Sequence, residues 1–299
     1  MAADGAPAAK WVPPNTIEEL FSATAGNNFS SINKPTAGPQ SDTPLPKGEA
    51  PFQLYSLATP NGWKVGILLE ELGIPYEAHF INIGKGEQFG EGFVGANPNS
   101  KIPCAVDYDG PGGEPMALME SVAIMMYLCE KYPEKGFLPT DPRLRCECMQ
   151  WLFWQVGGQG PLTGQFGHFM VYAPPDKVET RNYGVARYGM EVQRLLDVLE
   201  RHLAGNGDFK GNAGMRKEGP RTYLVGEQYT VADMACFPWV AAVRGKGYDR
   251  EGQPRVYDFL GVEKYKNVMA WADRLEAREE VKRGLTVCSG GEGKPWLKK

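Results

Sequence analysis

The spacing of apolar positions divides the chain into two regimes. Between residues 52 and 132 short apolar runs alternate with helical repeats, whereas beyond residue 141 only the helical repeat remains. "FQLYSL" reads as a strand that ends at the turn Thr59-Pro60-Asn61-Gly62. Val65, Leu68, Leu69 and Leu72 then fall at i, i+3, i+4 and i+7, and Gly73 with Pro75 supplies the stop. "YEAHFINI" is a second strand, so a right-handed parallel βαβ unit is expected. "EQFGEGFVGAN" is a weak helix interrupted by glycine. "PCAVDY" and "PMALME" bracket the turn "DGPGGE" as an antiparallel hairpin. Val122, Met125, Met126 and Cys129 resume the helical spacing, with Ser121 as predicted N-cap and Pro133 as terminator.

In the second regime, "RLRCECMQWLFWQV", "YGMEVQRLLDVLERHL" and "VMAWADRLEAREEVKRG" carry helical patterns, the first opened by Asp141-Pro142. "YTVADMACFPWVAAV" is almost wholly apolar and is predicted as a buried helix, with Thr230 and Asp233 at capping-box spacing and Pro238 imposing a kink or break. Residues 1–50 form an arm too poor in periodic apolar positions to fold alone. Gly205 to Gly219 reads as a polar surface loop. The expected organisation is an arm (1–50), an α/β domain (51–135), an all-helical domain (136–288) and a flexible tail (289–299). The order βαβ, α, ββα in the first domain is thioredoxin-like.

Composition narrows the function classes. A 299-residue chain with 42% hydrophobic residues can bury a sizeable core, and its formal charge of −4 without a block of Lys or Arg argues against nucleic acid as a partner. No run is long and apolar enough to span a bilayer, and the start lacks a basic n-region, so a cytoplasmic protein is expected. The six cysteines have no framework spacing and read as reduced thiols. Cys146 and Cys148, one residue apart, point to different helix faces, so no metal is expected.

Three segments can carry chemistry. The turn Thr59-Pro60-Asn61-Gly62 precedes a helix N-terminus, where redox proteins of this topology place a Cys-x-x-Cys pair. Here the sulfur is missing. Thr59 and Asn61 are either local caps or donors to a thiolate delivered by a small molecule. In "NPNSKIPC", Ile102-Pro103 is either a plain strand-start proline or a cis turn that offers the Ile102 backbone to an extended ligand. Cys104 beside it reads as core. Glu120 and Ser121, at the mouth of the next helix, either complement its dipole or clamp the ammonium and carboxylate of an amino-acid headgroup. A thiolate turn, a backbone-pairing segment and an α-amino-acid clamp together suggest glutathione.

"LYSLATPNG", "GFVGANPNSKIP", "MESVAIMMYL", "QWLFWQV", "GHFMVYAP" and "YTVADMACFPW" resemble the cytosolic glutathione transferases, and among them the nu class, over roughly residues 30 to 285. The resemblance implies a thioredoxin-like domain followed by an all-helical bundle, and a homodimer. It implies that Thr59 and Asn61 lie at the thiol, that Gln88 and Lys101 help hold the glycyl end, and that Ile102, before Pro103, pairs with the cysteinyl backbone. Glu120 and Ser121 would hold the γ-glutamyl group, and His168, Tyr172 and Arg187 would lie near a second glutathione. The implied activity is glutathione-dependent reduction of small disulfides. Conjugation of glutathione to electrophiles and a non-catalytic interaction role are the alternatives. On the residues alone, His168 reads as a packed histidine rather than a catalytic base, Arg187 is equally a solvated helix charge, and the cluster Trp151, Phe153 and Trp154 reads as core.

Overall fold

The computed structural model describes residues 37–205 and 219–297, together with Val12 and residues 14–16. Most of the arm and the interior of the 205–219 loop lie outside the described residues. Strand β1 (Phe52–Ser56) runs into helix α1 (Pro60–Leu72), which leads to β2 (Tyr76–Phe80), and β1 pairs with β2 in parallel. The short helix α2 (Glu91–Ala96) follows. Strands β3 (Cys104–Asp107) and β4 (Met116–Met119) form the antiparallel hairpin, and helix α3 (Ser121–Lys131) closes the domain. The sheet order is β2-β1-β3-β4, with β3 antiparallel to β1.

The termini of α1 have visible causes. Thr59 Oγ1 accepts the Gly62 N–H, and Gly73 takes a left-handed conformation at φ 64° that its missing Cβ permits. Gly62 is dictated by packing. A Cβ there would lie 2.0 Å from the Leu57 carbonyl oxygen, so the first turn of α1 rests on the end of β1 at a distance only glycine allows.

The helical half begins with α4 (Pro142–Trp154), N-capped by Asp141, and continues through α5 (Gly160–Gly167). Two wider π-turns, Gln155–Gln159 and His168–Tyr172, are spliced into this run. The first has a physical reason. Pro161 has no N–H to give to the fourth residue before it, and the wide turn, closed by Gly160 N–H to Gln155 O, ends just before the proline. Helix α6 (Val178–Ala204) buries Val192, Leu195, Leu196, Leu199 and Leu203 along one stripe. Helix α7 (Val231–Val243) is buried throughout and opens on the Thr230/Asp233 capping box. It continues past Pro238, so of the expected kink or break the break does not occur. The short α8 (Val256–Phe259), α9 (Lys266–Glu276) and α10 (Glu279–Gly284) complete the half. Trp151 is buried, but Phe153 is 67% exposed and does not belong to the core expected for that cluster.

The two halves share one core cluster, in which α1 packs on α7 and α10. A Cβ on Gly284 would lie 2.5 Å from the Ile67 Cα, so α10 and α1 touch backbone to backbone. Arg278 grips Glu71 at 2.6 and 2.7 Å, and Arg283 meets Glu70 at 2.6 Å. The segment after α10 returns to the end of β1, where Cys288 O accepts the Ala58 N–H, one residue before Thr59. The turn after β1 is thus held from behind by the far end of the chain.

Candidate active site

A cleft of about 380 Å³ opens between the sheet domain and the helical run Gln155–Gln165. Its walls bring together Asn61 from the α1 turn, Lys101, Ile102 and Pro103 from the loop before β3, and Glu120 with Ser121 from the start of α3. Thr59 is not a wall residue. Its hydroxyl oxygen accepts from Gly62 N–H at 3.3 Å and its proton is directed to Leu57 O at 3.4 Å, which makes it the cap of the turn. Asn61 is the side chain that the turn presents to the cleft.

The Ile102–Pro103 bond is cis. The loop before it is tied by Asn97, a buried side chain that donates to Lys101 O at 2.6 Å and accepts from Asn99 N–H at 2.9 Å. The first bond fixes Lys101, next to Ile102, at the cleft wall, and the second fixes the loop at Asn99. Gln88 is buried and is not a wall residue, and neither end of its amide meets a partner among the described residues.

Glu120, not the expected Ser121, is the N-cap residue of α3, and Ser121 is the first helical residue. Glu120 sits at φ 66°, ψ 114°, a region that costs a non-glycine residue roughly 1–3 kcal/mol and that clusters at ligand sites. The conformation has a consequence for chemistry. The Glu120 side chain is exposed at the cleft and carries no ion pair among the described residues, while the first N–H groups of α3 have no acceptor inside the helix. A carboxylate, free amides and the Ser121 hydroxyl therefore converge, an arrangement suited to a zwitterion.

Sequence reading misses two wall residues that join the halves of the molecule. Lys64 is 2% exposed; its Nζ donates to Gln155 Oε1 at 2.7 Å and to Ser121 Oγ at 3.2 Å, and it lies 5.9 Å from the Trp239 ring. Burial lowers its pKa to about 7, opposed in part by the charge of Glu120. A signal is present in the sequence, because a lone lysine stands in the apolar run "GWKVGILL", three residues after Asn61 and so on the same helix face. Gln155 carries no such signal, since its place depends on the π-turn.

His168, Tyr172 and Arg187 are not among the wall residues. His168 follows α5 and packs edge-on to Phe169 at 5.2 Å, and burial lowers its pKa. Tyr172 lies under the Arg250 guanidinium at 5.7 Å, and the half-exposed Arg187 pairs with Glu191 at 3.2 Å. Cys104, directly after the cis proline, is buried, and burial pushes its thiol up to about 12, so it is no nucleophile at neutral pH.

A thioredoxin-like layer thus faces a helical layer, with a cysteine-free turn and the Glu120–Ser121 corner of α3 in the cleft between them. Known proteins agree with this. Residues 58–131 match the glutathione S-transferase N-terminal domain and residues 182–274 its C-terminal domain. The chain is 43% identical over 271 residues to disulfide-bond oxidoreductase YghU of Escherichia coli, spanning 88% of this chain and 84% of that protein. It aligns at 40% identity and a TM-score of 0.78 with glutathione transferase YghU of Streptococcus pneumoniae, solved with glutathione, over 93% of this chain and 98% of that one. A glutathione transferase of Burkholderia graminis, with two glutathione molecules bound per subunit, aligns at 38% identity and a TM-score of 0.68 over 79% and 87%. The chain belongs to the glutathione S-transferase family.

Proposed function

We propose that the protein is a glutathione-dependent disulfide reductase. The observation that carries this reading is a strand-helix turn that retains the anion-favouring end of α1 and an amide, Asn61, facing the cleft, but offers no sulfur. Glutathione supplies the sulfur. Its γ-glutamyl ammonium meets Glu120, its α-carboxylate meets Ser121 and the free N–H groups of α3, and its cysteinyl backbone pairs with Ile102 beside Pro103. Lys101 and Gln88 belong to the glycyl end of the same reading. The thiol then reaches the α1 N-terminus, where the helix dipole and the Asn61 amide favour its ionised form. Thr59 contributes by shaping the turn.

The thiolate attacks one sulfur of a disulfide RS–SR′. A bond forms to that sulfur, the S–S bond breaks, and R′S⁻ leaves and takes a proton from water. A second glutathione thiolate attacks the mixed disulfide, which releases RS⁻ and oxidised glutathione. Two electrons pass from two glutathiones to one disulfide. His168, Tyr172 and Arg187 are proposed to border the second glutathione. Gly164 and His168 stand four residues apart on one helical run, so the cleft wall at Gly164 leads toward His168. A homodimer and a cytoplasmic location belong to the same reading. All six cysteines are free, and no helix of the described residues is long and apolar enough to cross a membrane.

Parallel assays with hydroxyethyl disulfide and chlorodinitrobenzene, both supplied with glutathione, test the proposal. Turnover of the disulfide well above that of the electrophile is expected, and turnover of the electrophile alone defeats it. Light scattering of the purified chain checks the dimer.

A further inference from the structure

Lys64 is unusual for a residue so far from water. Its ammonium carries three N–H donors, of which two are used, on Ser121 Oγ and Gln155 Oε1. It is also part of the cleft wall. A buried cation that serves stability alone is normally paired with a carboxylate, yet both of these partners are neutral. Among the described residues no carboxylate pairs directly with Nζ, and Glu120 acts on it only from beyond ion-pair distance.

The hydrogen-bond directions say where such a carboxylate would sit. A protonated lysine only donates, so in the charged form Ser121 Oγ must accept from Nζ, and the one proton of the hydroxyl is then directed elsewhere. Ser121 is the first residue of α3, beside N–H groups that have no intrahelical acceptor. The hydroxyl proton, these amides and the charge of Lys64 all favour an anion at one place, with Glu120 next to it for a cation. On the glutathione reading above, we propose that Lys64 is a positioning residue for the ligand's α-carboxylate, acting through Ser121, and that its bond to Gln155 fastens the helical half to the same charge.

Two features support the assignment. Asn61 and Lys64 share the α1 face at i, i+3, so the charge sits one helical turn from the thiol turn and joins headgroup recognition to the same helix. The other ionisable groups around Nζ do not neutralise it. Glu120 stands exposed at the cleft rim and is available to the ligand, and the Cys236 thiol, on α7, is fully buried and held neutral by burial. Among the described residues Lys101 is the other cation of the cleft wall. Because the Lys64 proton is loosely held, recognition of a carboxylate weakens as pH rises through neutrality.

Calorimetric titration of two ligands separates this role from a structural one. The first is S-methylglutathione, whose blocked thiol removes the sulfur's own ionisation. The second is the S-methyl derivative of γ-aminobutyryl-cysteinyl-glycine, identical but for the missing α-carboxylate. At pH 6.5, Lys64→Met is expected to weaken S-methylglutathione by ~10-fold or more while changing the decarboxylated ligand by less than ~2-fold. Equal losses for both ligands, or no loss for either, overturn the proposal. Should the variant not fold, the native protein still decides the matter. From pH 6 to 8.5 the preference for the carboxylate-bearing ligand should shrink several-fold, and a constant preference overturns the proposal. A native protein that binds neither ligand refutes the glutathione reading itself, a result distinct from every outcome that concerns Lys64 alone.

Discussion

Lys64 and Asp233 are both ionisable side chains removed from water, at 2% and 0% exposure, but one is open-ended and the other closed. Asp233 Oδ1 accepts from Leu224 N–H and Trp271 Nε1–H, each at 2.9 Å. Its Oδ2 accepts from Thr230 N–H at 2.9 Å and from the Thr230 hydroxyl at 3.2 Å. Every lone-pair direction is filled from within the helical half. Burial still outweighs these bonds and raises its pKa to about 6. Lys64 has two neutral partners drawn from two domains and borders the cleft. Buried charge therefore has two meanings in this molecule: a fully answered group organises the fold, and a partly answered one at a cavity waits for a ligand.

The contrast is most exposed to test at Asp233. Asp233→Ala removes the acceptor of four donors and should cost about 3–5 kcal/mol in urea unfolding, whereas Lys64→Met should cost little stability at pH 6.5 because it removes an under-compensated charge. Equal losses would erase the distinction. Gly62→Ala ranks next. Its Cβ would meet the Leu57 carbonyl at 2.0 Å, and neither backbone can yield freely. A destabilisation of about 2–3 kcal/mol is expected, with loss of turnover exceeding what that instability explains.

Asn61→Ala probes the functional side. A fall of roughly 10- to 100-fold in kcat/KM for disulfide reduction, or about 1.4–2.7 kcal/mol, is expected with unchanged thermal stability. The ultraviolet absorbance of bound thiolate should shift to higher pH at the same time. A smaller effect lies in pH. The folded state depresses the Lys64 pKa to about 7 from 10.5, so between these values the unfolded chain binds more protons and stability rises with pH. Over pH 7.5–8.5 the native protein should gain up to about 1.4 kcal/mol relative to Lys64→Met, and parallel stability curves would count against a buried, depressed lysine. Thr59→Ala should have the smallest effect, about 1 kcal/mol from a lost cap, with kcat reduced less than in Asn61→Ala because the threonine hydroxyl is occupied by the turn.

Much of the candidate cleft is legible in the sequence. Asn61, Lys101, Ile102, Pro103, Glu120 and Ser121 come from three separate segments, and the fold brings all six to one cleft. Thr59 is legible as a residue of the turn, but the direction of its proton is not, because that depends on the Leu57 carbonyl. The exchange of N-cap between Ser121 and Glu120 is hidden because Ser is the better capping residue by preference, and a positive φ at glutamate is imposed by the β4–α3 junction. Pro238 misleads for a related reason. Complete burial among α1, α4 and α9 carries α7 through a residue that would break an isolated helix.

The elements and their order are fixed by local sequence, because periodicity, caps and turn residues act over a few neighbouring positions. The absence of a thiol from the α1 turn is fixed there too. What surrounds Lys64 is settled only by tertiary packing. The lysine lies 57 residues from Ser121 and 91 from Gln155 along the chain, and the three meet only when two domains close on each other. Whether a charge is buried, and whether it is answered, is a property of that meeting and is written in no local pattern.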